Sequence, residues 1–221
     1  MQDYLKLFLQ LKDLKRKENN FSKSIILGCI DTHITFVIQC NDIIRKGLFM
    51  GLKVGVVKLD EYNPKWKDMY FEEKENLKNM FGDIALSIEH IGSTSVEGLS
   101  AKPIIDIAVG VKSLSDFDKV KEKFMKEPYS VKEDSTTGEI LVRKGNEDNR
   151  THFIHVMEID SDRYIESILY RDYLRKHDWA LKEYEDLKKD LSIKYQNDRK
   201  MYTASKNDFI KKILELAHKE K

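Results

Sequence analysis

The stretch IEHIGSTSVEGLSAKPIIDIAVGV, residues 88–111, carries the strongest structural signal in this sequence. Residues 84–90 alternate between apolar and polar side chains, as a strand does, and a loop rich in glycine and serine follows at 92–103. Residues 104–111 are almost continuously apolar, which predicts a central strand covered on both faces. We therefore expect two strands joined by this loop.

Further elements are predicted on both sides of this stretch. A helix should open at Asn63-Pro64, where Asn can cap and Pro needs no N–H, and should end at Gly82. Ser113 and Asp116 suggest a capped helix over 114–126. The predicted strands lie at 54–59, 129–133, 139–143 and 151–158, and the chain reads as helical after residue 160. This order predicts an α/β (α+β) domain in which a mixed sheet is flanked by helices, with a C-terminal helical portion.

Composition narrows the class of protein. The 221 residues include 39 Lys and Arg against 38 Asp and Glu, so a net charge of +1 gives no bulk drive towards nucleic acid or an anionic membrane. Two cysteines, Cys29 and Cys40, favour a reducing compartment. The most apolar run, residues 25–38, is too short to span a bilayer. We expect a cytoplasmic protein without a membrane segment, and the oligomeric state stays open.

Residues 1–49 differ from the rest of the chain. A short amphipathic helix at 4–17 and an apolar β-branched run follow each other there, without chemistry that we can name. We interpret 1–49 as an extension of unknown role, or as the product of a mis-assigned start. The main domain is expected at residues 50–221.

The loop and the strand after it carry the candidate chemistry. Gly92 lets backbone approach a ligand closely, and the hydroxyl and amides at Ser93 can hold phosphate. Lys102 adds a positive charge, and Asp106 is a carboxylate in an apolar strand, which is costly without a partner. Each feature alone also fits a purely structural role: a tight turn, a surface lysine, or a carboxylate that caps a loop. The signal lies in their combination.

Residues 88–111 resemble the signature of the GrpB family of bacterial proteins. The similarity extends over about residues 52–218, from VKLDEYNPKWKDMYFEEK through RTHFIHV to YTASKNDFIKKIL. The resemblance implies a nucleotidyltransferase-like fold, in which a Gly-Ser turn and an acidic D-x-D pair hold a nucleotide and Mg²⁺. Gly92, Ser93 and Asp106 match that pattern. Ala108 stands where the second acid belongs, Glu97 stands where the family usually has proline, and Glu158 is the nearest candidate for a third acid and metal ligand.

Other side chains complete the candidate site. His152 and His155 lie three apart in a predicted strand and should therefore point to opposite faces, and we favour His155 as the one that serves the site. Arg171 and Arg175 share one helix face and could grip phosphate, or could pair with Asp172 or Asp178 instead. The candidate substrate- and phosphate-binding set is His90, Gly92, Ser93, Thr94, Ser95, Lys102, Arg171 and Arg175, with Lys188 and Lys206 as weaker candidates.

Two functions of different classes fit these residues. One is a Mg²⁺-dependent transferase that moves a nucleotidyl group to a small-molecule acceptor, with Asp106 and His155 as catalytic residues. The other is a module that binds a nucleotide or another small anionic metabolite without catalysis, as the loss of the second acid at Ala108 suggests. A folding-accessory role is a weaker third hypothesis, raised by GrpB-like domains that are fused to dephospho-CoA kinase. The sequence has no G-x-x-x-x-G-K-[ST] loop of that kinase.

Overall fold

A computed structural model describes residues 51–134 and 138–220, and for residues 133 and 134 it describes the backbone alone. The expectations for residues 1–49 lie outside the described residues. The helices are α1 (Lys65–Phe81), α2 (Asp162–Lys176), α3 (Asp178–Lys194), α4 (Arg199–Ala204) and α5 (Asn207–Lys219). The strands are β1 (Ser87–Ile91), β2 (Ile105–Val111), β3 (Tyr129–Asp134), β4 (Glu139–Gly145) and β5 (Arg150–Glu158).

The five strands form one mixed sheet in the order β1-β2-β5-β4-β3. Strand β2 pairs antiparallel with β1 and parallel with β5, while β4 pairs antiparallel with both β5 and β3. All residues of β2 except Asp106 are buried. The prediction of a central strand within an α+β mixed sheet is confirmed.

The two faces of the sheet are covered by different helices. On one face, α1 places Trp66 and Leu77 against Ile105 and Ile107 of β2 in the largest apolar cluster. On the other face, Tyr164 of α2 packs with Ala108 and its neighbours. Because successive strand residues alternate between faces, Asp106 lies on the α2 face.

The C-terminal helices hold the loop between β1 and β2. Val96 and Leu99 of that loop are fully buried in a cluster formed with α2, α3 and α5. Tyr184 and Phe209 stack within this cluster at a centroid distance of 5.1 Å. Among the described helices, none has the length and apolar character that crossing a bilayer would need.

Most predicted elements agree with the structure, and two do not. Asn63 accepts the Lys65 N–H at 3.0 Å beside the start of α1, and Gly82 ends that helix with a φ of 57°. The predicted strand at 54–59 is absent: that region makes only isolated bridges, Leu52 with Arg150 and Asp60 with Ala101. The predicted helix at 114–126 is wrong as well. Two short 3₁₀ turns stand there, and the Ser113 side chain does not cap.

Candidate functional site

A cavity of about 240 Å³ lies where the loop 92–104, the start of β2 and the C-terminal helices meet. Its polar wall is formed by the loop and by four basic side chains, and its apolar wall by aromatic rings. The lining residues that matter below are Gly92, Ser93, Thr94, Lys102, Asp106, Phe153, Tyr184, Lys188, Arg199, Tyr202 and Lys206.

Gly92 and Asp106 lie against each other at the edge of the cavity. Gly92 has a φ of 69°, a conformation that side chains rarely adopt, and a Cβ there would lie 2.6 Å from Asp106 Oδ2. The Asp106 side chain keeps a third of its surface exposed. Gly92 is therefore required both by the turn and by the space that Asp106 occupies.

His155 connects Asp106 to a second carboxylate. Its Nε2 lies 3.7 Å from Asp106 Oδ1, and its Nδ1 lies 2.9 Å from Glu139 Oε2. Arg163 donates two hydrogen bonds to Glu139, at 2.8 and 3.0 Å. Burial alone would lower the pKa of His155, but hydrogen bonds and charges from Asp106 and Glu139 outweigh it and raise the pKa to about 9. His155 is thus a cation at neutral pH, which suits holding Asp106 and does not suit a general base.

Four basic residues of the cavity lie over aromatic rings. An aromatic face attracts a cation without cancelling its charge, so the cation stays available to an anion. The pairs and their distances to the ring centroid are Lys102–Tyr202 (5.5 Å), Lys206–Tyr202 (4.7 Å), Lys188–Tyr184 (5.0 Å) and Arg199–Phe153 (5.1 Å). Within the described part of the chain, no carboxylate forms an ion pair with Lys102, Arg199 or Lys206.

Two of these lysines have lowered pKa values. Burial, with the neighbouring charges of Arg199 and Lys206, lowers the pKa of Lys102 to about 8. Burial also lowers the pKa of Lys188 to about 7, although Glu185 at 3.5 Å opposes the shift. The Lys188 ammonium donates to the Ser100 carbonyl, which ties α3 to the loop. Both amines would regain charge next to an anion.

The arginines of α2 brace the loop from outside the cavity. Arg171 is buried, and its guanidinium donates to Glu89 at 2.8 Å, to the His90 carbonyl at 3.0 Å and to Asp172 at 2.7 Å. Arg175 donates twice to the Ser95 carbonyl, at 3.2 and 2.8 Å. The donors of Arg171 are occupied by protein acceptors, so the prediction that it grips phosphate is corrected to a positioning role. The Arg175 side chain is 44% exposed and uses Nε and Nη2 on one carbonyl oxygen, so for Arg175 phosphate binding stays a prediction.

His90 and Ser95 also support the loop rather than line the cavity. His90 is buried, stacks on Tyr70 at 4.8 Å, and lies 3.0 Å from the Thr94 hydroxyl. Burial lowers the pKa of His90 to about 3, so its ring is neutral. The Ser95 hydroxyl donates to the Gly92 carbonyl at 2.6 Å. These two members of the predicted set shape the turn, whereas Thr94 also reaches the cavity wall.

Glu158 does not reach Asp106. Asp106 pairs in register with Phe153, and Glu158 lies five residues further along β5, about 17 Å away at the rise of a strand. It is exposed and accepts the Leu114 N–H at 3.2 Å. The assignment of Glu158 as a metal ligand beside Asp106 is therefore wrong.

A pair of divalent ions does not fit the cavity residues. Asp106 is the one carboxylate among the described lining residues, and Ala108 offers no ligand. No three His, Cys, Asp or Glu side chains converge as metal ligands within residues 51–134 and 138–220. Two Mg²⁺ ions need several carboxylates, whereas one ion could be held by a single carboxylate together with phosphate oxygens.

Sequence reasoning missed several cavity residues. Arg199 lies outside the family-like segments quoted above, and Phe153 and Tyr202 lie within them without an assigned role. They meet at the cavity, where Arg199 of α4 lies over the ring of Phe153 of β5. Lys188 and Lys206 are weaker candidates on sequence alone, because a lysine on a highly charged helix is usually exposed to solvent. The available signal was Lys188 within an otherwise apolar stripe of α3, where a buried cation requires a partner.

Comparison with known proteins places these features in one family. The sequence profile of the family described as "GrpB protein" matches residues 56–216. The chain is 38% identical over 170 residues to the glutamate-rich protein GrpB of Alkalihalophilus pseudofirmus, covering 75% of this chain and 98% of that protein. It is 37% identical over 156 residues to the UPF0157 protein YqkA of Bacillus subtilis, covering 70% of this chain and 45% of that protein.

A solved structure shows the same fold. The crystal structure of the conserved protein GrpB from Enterococcus faecalis superposes with a TM-score of 0.68 at 35% identity, covering 74% of this chain and 98% of that one. The described fold and the profile match cover the same part of the sequence. This chain therefore belongs to the GrpB protein family.

Proposed function

We propose that the cavity binds a phosphate-bearing small molecule, a nucleotide or a related anionic metabolite. The observation that carries the proposal is the charge of the lining: Lys102, Arg199 and Lys206 face the cavity without a carboxylate partner among the described residues. The three side chains are half-buried, so the empty site holds their like charges against a single carboxylate among the described lining residues, Asp106. A phosphate group would supply the missing charge through short charge-assisted hydrogen bonds.

The loop adds shape to this charge. The left-handed turn at Gly92 brings backbone close to the cavity, and Ser93 and Thr94 place hydroxyl groups on its wall. The supporting contacts of Arg171 and Arg175 hold the turn in place before any ligand arrives, so little ordering is needed on binding. With one carboxylate against four basic residues, phosphate charge is neutralised by side chains, and binding without a divalent ion is the expected mode.

A second candidate function is nucleotidyl transfer with Mg²⁺. The observation that favours it is the position of Asp106, a partly exposed carboxylate in contact with the Gly-Ser turn. A single Mg²⁺ held by Asp106 and by ligand phosphates would supply Lewis-acid stabilisation of the phosphoryl group. His155, whose Nε2 lies 3.7 Å from Asp106 Oδ1, would hold Asp106 in position.

The test is a titration of the purified full-length chain with nucleoside mono-, di- and triphosphates and with inorganic phosphate. Each is measured with Mg²⁺ and with EDTA, by calorimetry and by the rise in melting temperature that ligand binding produces. Asp106→Asn removes the carboxylate charge at nearly constant shape. Asp118→Asn is the matched control, because Asp118 is exposed on a 3₁₀ turn outside the cavity.

Binding in EDTA that persists or strengthens in Asp106→Asn supports the binding module. Triphosphate binding that needs Mg²⁺ and is lost in Asp106→Asn, but not in Asp118→Asn, supports transfer and justifies a search for the acceptor. If neither nucleotides nor phosphate bind under any condition, the phosphate proposal is wrong.

A further inference from the structure

Arg150 is a buried cation without partners for its guanidinium among the described residues. Arg150 is 5% exposed, and within that part of the chain Nε and Nη1 have no hydrogen-bond acceptor. No carboxylate of the described residues forms an ion pair with Arg150. The charge of Glu147 acts on Arg150, but Glu147 is too far from it to form an ion pair. Burying an unpaired charge costs several kcal/mol, so such a group in a folded protein calls for an explanation.

Arg150 is close enough to two further arginines, Arg143 and Arg199, for their charges to act on it. Phe153 of the lining pairs across the sheet with Asp106 on one side and with Arg143 on the other. Strands are spaced about 4.8 Å apart, so the backbone of Arg143 lies about 10 Å from that of Asp106. Arg199 covers the ring of Phe153 at 5.1 Å. These three residues, Arg143, Arg150 and Arg199, are called the arginine group below.

The members of the arginine group repel one another. Burial lowers the pKa of Arg150, and the charges of Arg143 and Arg199 lower it further. The Nε of Arg143 is also buried without an acceptor. The register between β4 and β5 shifts at Lys144 and Gly145, so that Lys144 pairs with His152 and Gly145 pairs with Arg150 at the beginning of β5. Three cations, with only the unpaired charge of Glu147 acting on Arg150 among the described carboxylates, form an anion site next to the first one.

We propose that the arginine group binds a second anionic group of the ligand held by the cavity, and that this ligand is a polyphosphate rather than a monophosphate. The inference rests on the proposed function, because it extends the phosphate site across Phe153. Arg199 lies in both parts: it lines the cavity and belongs to the arginine group. A chain of linked phosphates would run from the Gly92-Ser93 turn towards Arg143 and Arg150. Arginine suits this role because its planar donors bind phosphate oxygens in pairs.

The experiment compares inorganic tripolyphosphate with orthophosphate as calorimetric probes of the full-length chain. The variants are Arg143→Gln and Arg150→Met in the arginine group and Lys102→Gln in the cavity. Lys67→Gln is the control for loss of a positive charge, because Lys67 is exposed on α1 and far from the lining. The quantity compared is the ratio of tripolyphosphate affinity to orthophosphate affinity.

Each arginine variant is expected to lower this ratio at least tenfold, while Lys102→Gln weakens both probes and Lys67→Gln changes neither. Arg150→Met should also unfold at no lower a urea concentration than the wild type, because it removes an unpaired buried charge. If Arg150→Met does not fold, Arg143→Gln decides alone. A ratio that stays within twofold of the wild type in the arginine variants overturns the polyphosphate inference and leaves the phosphate site standing. A wild type that binds neither probe overturns the proposed function itself.

Discussion

Two groups of basic side chains surround the same loop, and they differ in what their donors touch. Arg171 of α2 is buried and donates to Glu89, Asp172 and the His90 carbonyl, and Arg175 donates to the Ser95 carbonyl. Lys102, Arg199 and Lys206 line the cavity and lie over aromatic rings. No carboxylate of the described residues forms an ion pair with them. The engaged cations stabilise the fold, whereas the unpaired ones are available to a ligand. The role of a basic side chain is therefore indicated by the groups that its donors contact, and not by its presence alone.

The largest expected effect comes from removing two unpaired cations together. Lys102→Gln with Lys206→Gln should weaken tripolyphosphate binding by roughly a hundredfold or more, since each charge-assisted hydrogen bond is worth about 1.5–3 kcal/mol. The free energy of unfolding should not fall, because neither lysine has a carboxylate partner to lose. Calorimetry and urea denaturation measure the two quantities.

The matched control removes two paired lysines. Lys182→Gln with Lys212→Gln takes away the same charge from exposed positions paired with Asp186 and Glu183. This double variant should leave tripolyphosphate affinity within twofold of the wild type. Equal losses of affinity in both double variants would mean that overall charge, and not the cavity, attracts the anion.

The engaged group should show the opposite pattern. Arg171→Met removes the donors to Glu89, Asp172 and the His90 carbonyl, and should lower the free energy of unfolding by about 2 kcal/mol. We set the value below that of a fully buried pair, because Glu89 and Asp172 are partly exposed and solvent screens them. Urea denaturation measures the change. A stable Arg171→Met protein that has lost anion binding would place Arg171 with the unpaired cations instead.

The loop between the two groups can be tested with two glycines. Gly92→Ala and Gly98→Ala both put a side chain at positive φ, 69° and 81°, which costs about 1–3 kcal/mol of unfolding free energy each. At Gly98 a Cβ meets nothing within 4 Å, whereas at Gly92 it meets Asp106 Oδ2 at 2.6 Å. Gly92→Ala should therefore be the less stable of the two in urea, and it alone should alter anion affinity. Identical behaviour would show that the contact with Asp106 has no consequence.

The limits of the sequence follow from the same comparison. Gly92, Ser93, Lys102 and Asp106 lie within fifteen residues, so one local pattern of strand, turn and strand was enough to predict their meeting. Arg199 reaches the cavity from a helix that is far along the chain, and no local pattern reports such a contact.

The predicted role of Arg171 failed for a related reason. Its spacing correctly put it on one helix face with Arg175, but its acceptors Glu89 and the His90 carbonyl lie more than seventy-five residues away. The prediction for Glu158 was wrong because the residue of β5 that pairs with Asp106 is Phe153, and Glu158 lies five residues further along the strand.

The smallest expected effect is a dependence of anion affinity on pH, and it distinguishes the two groups without changing the fold. In the ligand-free protein Lys188 has a pKa of about 7 and Lys102 of about 8. Lys188 therefore loses its proton between about pH 6 and 8, and Lys102 between about pH 7 and 9. A bound anion raises both pKa values, so binding takes up protons within this window and affinity falls with increasing pH.

Sulfate is the probe for this measurement, because its charge stays constant between pH 6 and 9 in ordinary buffers. Its affinity should be level only below about pH 6 and should fall roughly tenfold by pH 9, a change of about 1.4 kcal/mol. Lys102→Arg should flatten the upper part of the decline, since an arginine keeps its charge throughout. The paired arginines of α2 contribute nothing to this dependence, as their charge is fixed. An affinity that rises with pH, or a decline that Lys102→Arg leaves unchanged, would show that Lys102 does not bind the anion as a cation.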